Sequence, residues 1–141
     1  MKAEKGKAIG RTSAVLASLI VLAGCASGVG SCPPGAKSML VAEMLFGRNV
    51  GDKVGVSEAA FRRFVDEDLT PRFPDGLTVL DAQGQYGSSG GIVKEPSKVV
   101  VIALDDTPEA EKRLNDAAEA YKRRFRQESV GIVRKRSCVS F

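Results

Sequence analysis

Two segments with helical periodicity stand among four strand-like runs in the order β-α-β-β-α-β, and two cysteines bracket the set. These observations predict an α+β domain of ferredoxin-like topology over residues 37–141. Its sheet is expected to be four-stranded and antiparallel, in spatial order 4-1-3-2, with both helices on one face. That order makes the first and last strands neighbours. Cys32, just before the first strand, and Cys138, near the end of the last, are then brought together, and a disulfide between them is expected.

The chain opens with a segment that is not part of this domain. Lys2, Lys5, Lys7 and Arg11 precede a short apolar stretch that ends in Leu22-Ala23-Gly24-Cys25. Charged, apolar and small-residue parts in that order form an export signal over residues 1–24. The apolar part spans about a dozen residues, well short of the roughly 20 needed to cross a bilayer, so an uncleaved anchor is disfavoured. Leu-Ala-Gly-Cys resembles the lipobox of bacterial lipoproteins, which implies cleavage before Cys25 and lipidation of its thiol. Acyl chains contribute about 0.8 kcal/mol per buried methylene, and stable anchoring takes more than one. Residue 26 is Ala rather than the Asp that retains such proteins at the inner membrane in some bacteria. The expected address is therefore the cell envelope, lipid-anchored, at the periplasmic face of the outer membrane.

Residues 25–36 are small and rich in Gly and Pro, and read as a flexible tether. Lys37 to Arg48 is the first strand, with Leu40, Ala42, Met44 and Phe46 on one face and Met39, Val41, Glu43 and Leu45 on the other. Asn49 to Gly55 breaks the pattern. Val56 to Leu69 is a helix, with Ser57 as cap and Phe61, Phe64, Val65 and Leu69 at helical spacing. Pro71 and Pro74 are expected to stop it. Leu77 to Tyr86 and Ile92 to Leu104 are strands joined by a Gly/Ser-rich turn, and Pro96 predicts a bulge or an unpaired extension. Thr107 caps a second helix with Pro108 in its first turn. Ala110, Leu114, Ala117, Ala118, Tyr121 and Phe125 mark its apolar face. Val130 to Phe141 is the last strand.

Charge and composition exclude several functions. The full chain has 21 basic and 17 acidic residues, of which residues 1–24 hold four and one, so the mature 117 residues carry 17 against 16. The basic balance belongs mostly to the export signal and gives no footing for nucleic-acid binding. Lys122-Arg123-Arg124 and Arg126 fit a solvated helix face or a helix C-terminus better than a ligand site. No His is present, which excludes His-based zinc sites, Ser-His-Asp triads and Cys-His dyads. No metal or cofactor is expected. Cys32 and Cys138 as two free thiols, in a reducing niche, is the alternative to the disulfide.

Five motifs carry a further resemblance: Glu43-Met-Leu-Phe-Gly-Arg48, Thr70-Pro-Arg-Phe-Pro-Asp-Gly-Leu-Thr-Val79, Gly84-Gln-Tyr86, Lys94-Glu95, and Tyr121 to Val130. They resemble a family of small bacterial lipoproteins described only as a domain of unknown function. The resemblance covers nearly all of residues 37–141, with one departure at Tyr86, where Trp is expected. It implies lipidation, and since the family carries no assigned catalytic residues it transfers no other role.

The topology places candidates for chemistry. Arg48, Gln85, Tyr86, Gln127, Glu128 and Ser129 fall at one end of the sheet and are candidate ligand-binding residues. Glu43 lies on the apolar face away from the helices, and Glu95 near either group. As a pair the two glutamates have the chemistry of a general acid and base. The simpler expectation is that Glu43 is structural, paired with Arg48 or Lys94. The free face (Met39, Val41, Leu45, Leu77, Val79, Val99 and Val101) is expected to pair with a second copy or to line a cleft. Two functions remain. One is a non-catalytic envelope protein that binds a partner or small ligand through this face. The other is a small-molecule enzyme of the dimeric αβ-barrel kind, isomerase-like, with Glu43 or Glu95 as acid/base. The missing His and the lack of a nucleophile-base pattern favour the first.

Overall fold

The computed structural model describes residues 31–141; Cys25, the export signal and residues 25–30 lie outside the described residues. The alternation in β1 (Lys37–Gly47) sets the architecture: Leu40, Ala42, Met44 and Phe46 are buried, and the intervening residues face the other side. A strand of this period presents one continuous apolar face. β1 pairs antiparallel with β5 (Gly91–Leu104) and with β6 (Gly131–Val139), and β5 pairs antiparallel with β4 (Thr78–Ser88). The order β4-β5-β1-β6 is the expected ferredoxin-like arrangement. β1 and β5 are central, and β5 repeats the alternation, with Val100, Ile102 and Leu104 buried.

Two helical segments cover the buried face. α1 (Glu58–Phe64) starts at Ser57, whose Oγ accepts from the Ala60 N–H at 3.1 Å. α3 (Pro108–Phe125) starts at Thr107, whose Oγ1 accepts from the Ala110 N–H at 3.1 Å. Acidic residues in the first turn of α3 and Lys122, Arg123 and Arg124 in its last match the helix dipole. Part of the basic run is paired: Arg124 reaches Glu67 at 2.7 Å and Lys122 reaches Glu119 at 2.9 Å. Phe46, Phe61, Phe64 and Tyr121 are buried in one edge-to-face cluster, with Phe46 and Tyr121 at 4.7 Å and Phe64 and Tyr121 at 5.1 Å. Such pairs add about 0.5–1.5 kcal/mol each beyond area burial.

Cys32 and Cys138 are joined, with Cα atoms 5.4 Å apart, because Ser38 of β1 lies opposite Cys138 of β6.

Four local expectations are corrected. The first helical segment does not stop before Pro71: a π-helical turn (Val65–Leu69) follows α1, and α2 (Thr70–Arg72) follows that. The wider turn, with the Thr70 N–H bonded to the Val65 carbonyl, removes the register in which a proline ring meets the carbonyl four residues back. Pro96 causes no bulge, since Gln83–Pro96 keeps the register of β4 and β5. Its carbonyl points to the β1 side, where it accepts from the Arg48 N–H at 3.1 Å. In an antiparallel ladder the missing N–H points the same way, so no bond to β4 is lost. β5 does extend beyond β1 here, from Gly91 to Pro96. Val79 does not join the free face, because it lies opposite the buried Val100; Thr78 and Leu80 take that side. Finally, Asn49 to Gly55 holds a small hairpin of β2 (Asn49–Val50) and β3 (Lys53–Val54).

Candidate functional site

β1 ends in a glycine because another strand's side chain takes that space. A Cβ on Gly47 would stand 2.9 Å from both carboxylate oxygens of Glu95. On the other flank, a Cβ on Gly84, which pairs with Glu95, would stand 3.3 Å from the Glu95 Cγ. The two glycines leave a trough across the free face, and the Glu95 side chain lies in it. Its carboxylate accepts one hydrogen bond, from the Asn49 N–H at 3.3 Å.

The rest of the site comes from two turns at this end of the sheet. α3 stops at Arg126, which is left-handed at φ 56°. The Arg126 and Gln127 N–H groups both return to the Lys122 carbonyl. This closure brings Gln127 to the small hairpin, where its Nε2 donates to the Asn49 carbonyl at 2.7 Å. The result is an open cleft of about 400 Å³ lined by Gly47, Asn49, Val50, Gly51, Tyr86, Glu95 and the turn Arg126 to Ser129. Neither Glu95 nor Glu128 has an ion pair among the described residues. The Asn49 Oδ1 is buried and has no hydrogen-bond partner. A buried acceptor left unmatched costs about 1–3 kcal/mol.

Beneath the cleft the core is tied to its floor. The hydroxyl of the buried Tyr121 donates to the Gly47 carbonyl at 2.8 Å. Burial pushes its phenol well above the ordinary value of 10.0. On the opposite face of the sheet, Lys98 is the only charged side chain buried among the described residues, at 3% exposure. It bonds to Glu58 at 2.8 Å and to Asp81. Desolvation pulls the Lys98 ammonium down, but its bonds to Asp81 and Glu58 outweigh this and leave it raised.

The residues singled out from the sequence divide between these places. Tyr86, Gln127, Glu128, Ser129 and Glu95 line the cleft. Arg48 does not: its Nε donates to the Val56 carbonyl at 2.8 Å and its guanidinium reaches Glu58 at 3.3 Å. Gln85 is exposed and does not line the cleft either. Glu43 and Glu95 are not a pair. Glu43 lies opposite Val101, about 20 Å of strand from Glu95 at the usual rise. Its partner is neither Arg48 nor Lys94 but Lys135 of β6, at 3.1 Å. The register explains this: Val133 lies opposite Glu43 in the β1–β6 ladder, and Lys135, opposite Val41, is its diagonal neighbour on the same face. Among the described residues, no group of three or more Cys, Asp or Glu is placed to hold a metal ion.

Asn49, Gly47, Gly84 and Arg126 were absent from the sequence-derived set. Val50-Gly51-Asp52-Lys53 carried a usable signal for the hairpin, since Gly-Asp between two short strand-like runs marks a two-residue turn. The glycine trough carried none, because it exists only once three strands are in register.

The fold is similar to a phage SAM lyase solved in complex with S-methyl-5'-thioadenosine, with a TM-score of 0.57 and 18% identity, covering 82% of this chain and 97% of that one. A phage SAM lyase in the apo state gives the same score and identity over 74% and 90%. CutA from Synechococcus elongatus gives a TM-score of 0.49 at 8% identity, over 73% and 80%. At these identities the likeness is one of fold. No curated protein sequence matches the chain. A family model described as a protein of unknown function, DUF3574, matches residues 41–141. The chain therefore belongs to the DUF3574 family.

Proposed function

We propose that the protein is a lipid-anchored component of the bacterial envelope that binds a small ligand in the cleft between Glu95 and the Arg126–Ser129 turn. The observation that carries this reading is the Glu95 carboxylate, laid in a two-glycine trough at the cleft, bonded to the Asn49 N–H and with no ion pair among the described residues. Folded chains satisfy nearly all their buried polar groups, so the unmatched Oδ1 of Asn49, a residue that lines the cleft, adds support. The lipid half of the reading rests on the Leu22-Ala-Gly-Cys25 sequence.

Each half has its own test. Cells fed an alkyne-tagged fatty acid are expected to label the wild-type protein and not Cys25→Ala; equal labelling would remove the anchor. Native mass spectrometry of the full chain, released gently from membranes, is expected to show a small bound mass that Gly47→Leu lacks. An unliganded wild-type spectrum, with no binder in a metabolite screen by thermal shift, would remove the cleft reading.

A second reading is favoured by the same carboxylate. Glu43 is held by Lys135, whereas Glu95 lines the cleft with no ion pair among the described residues, so an enzyme on this scaffold uses Glu95 as its base. The similar phage fold suggests the first substrate to try. Incubation with SAM, followed by chromatography for S-methyl-5'-thioadenosine, is expected to show product that Glu95→Gln abolishes. No product above the uncatalysed rate rejects SAM as substrate.

A further inference from the structure

The lining groups of the cleft specify the charge of what it takes. Glu95 offers a carboxylate with one hydrogen bond made, and such a group has about four acceptor positions. Asn49 Oδ1 is a second acceptor, buried and unmatched. Gln127 has committed its amide nitrogen to the Asn49 carbonyl, which leaves its oxygen as a third. Glu128 adds another carboxylate, against one guanidinium from Arg126. Acceptors outnumber donors, and negative charges outnumber positive by one. Tyr86 brings a half-exposed aromatic ring to the rim, whose face attracts a cation within about 6 Å.

A metal ion is a poor complement to this set. Among the described residues no three Cys, Asp or Glu converge, and the few side-chain oxygens of this lining fall short of the six or more a hard cation takes. An ammonium group fits better. It has three donors and no acceptor, which matches an unpaired carboxylate in a lining of excess acceptors and excess negative charge. The volume of about 400 Å³ lies in the range of small-molecule sites.

Resting on the cleft reading proposed above, the geometry points to a small organic amine as the ligand class, its ammonium held by the unpaired Glu95 carboxylate. The two glycines explain why the acidic group lies flat: a side chain at either position would lift the carboxylate away from Asn49.

The test uses the full chain in detergent, with cadaverine as probe and 1,5-pentanediol as its uncharged counterpart of the same length. Backbone amide resonances of Asn49, Gly51 and Gln127 are followed by NMR titration. Cadaverine is expected to shift them saturably, with an affinity that falls as salt is added, and pentanediol is expected to leave them unmoved. Glu95→Gln keeps an oxygen for the Asn49 N–H while removing the charge, and is expected to weaken cadaverine at least tenfold at an unchanged melting temperature. If both probes shift the cleft equally, or if Glu95→Gln binds cadaverine as well as wild type, the assignment of charge is overturned while the cleft stands. If cadaverine and pentanediol both fail, and the native spectrum of the full chain also shows no bound mass, the cleft reading itself is overturned.

Discussion

Tyr121 shows how one residue links the core to the site. Its ring fills the aromatic cluster and its hydroxyl holds the carbonyl of Gly47, the residue on which Glu95 rests. Tyr121→Phe keeps the ring and leaves that carbonyl without its partner, which is expected to cost about 1–2 kcal/mol in urea unfolding. The same hydroxyl gives the fold a base-sensitive step. Its folded-state pKa is raised by burial above the ordinary 10.0, so the folded chain holds the proton more tightly than the unfolded one. Stability from this group is complete below pH 10 and is lost as pH rises above it towards the folded value. Between pH 10 and 12, wild type is expected to lose stability more steeply than Tyr121→Phe, measured by urea midpoints along the series.

Within single elements, two features depart from what local stability favours. α3 closes on a left-handed arginine where glycine is the residue of lowest strain. Arg126→Gly is expected to stabilise the fold by about 0.5–1 kcal/mol in thermal melts. A stability gain with altered ligand affinity identifies a residue kept for the cleft; a loss of stability contradicts the strain argument. β5 carries the other departure. Lys98 is buried on the helix side, opposite Phe46 and bonded to Glu58 and Asp81. Its partners Glu58 and Asp81 are themselves exposed, and pairs screened by water in this way return little net energy. Lys98→Met is therefore expected to change stability by less than about 1 kcal/mol. Glu58→Ala removes the shared partner of Lys98 and Arg48 and is expected to cost more, about 1–2 kcal/mol. Chemical denaturation of both variants checks the order.

Over the whole molecule, the disulfide joins residues 106 apart in sequence and ties the entry of β1 to the exit of β6. The chain-entropy model gives about 4.7 kcal/mol for a loop of 100 residues, and measured losses run from about 2 to 5. Reduction is expected to lower the melting temperature by on the order of 10–20 °C, read by calorimetry with and without reductant. A melt indifferent to reductant contradicts a stabilising role for the bond.

Element order, sheet order and the cysteine pairing were legible in the sequence because each rests on a periodicity or on neighbours along the chain. The alternation of Leu40, Ala42, Met44 and Phe46 identified the buried face of β1, and the spacing of Leu114, Ala117, Ala118 and Tyr121 that of α3. Topology alone placed Tyr86, Gln127 and Glu128 at one end of the sheet. Direction was not legible there. Arg48 turns to the helix side and Gln85 stays outside the cleft, since a shift of one residue reverses the face a strand side chain takes. Val79 was misplaced for the same reason.

The resemblance of Leu22-Ala-Gly-Cys25 to a lipobox is read from local order alone, and lipidation there stands as a proposal. What only the tertiary structure decided is the setting of the two glutamates. Periodicity places Glu43 on the free face and leaves Glu95 near either group. Register across three strands gives Glu43 a lysine from β6 and gives Glu95 a glycine on either side. One carboxylate is thereby neutralised on the surface, and the other is laid open in a cleft. Such a difference arises from residues distant in sequence and close in space, where no pattern along the chain records it.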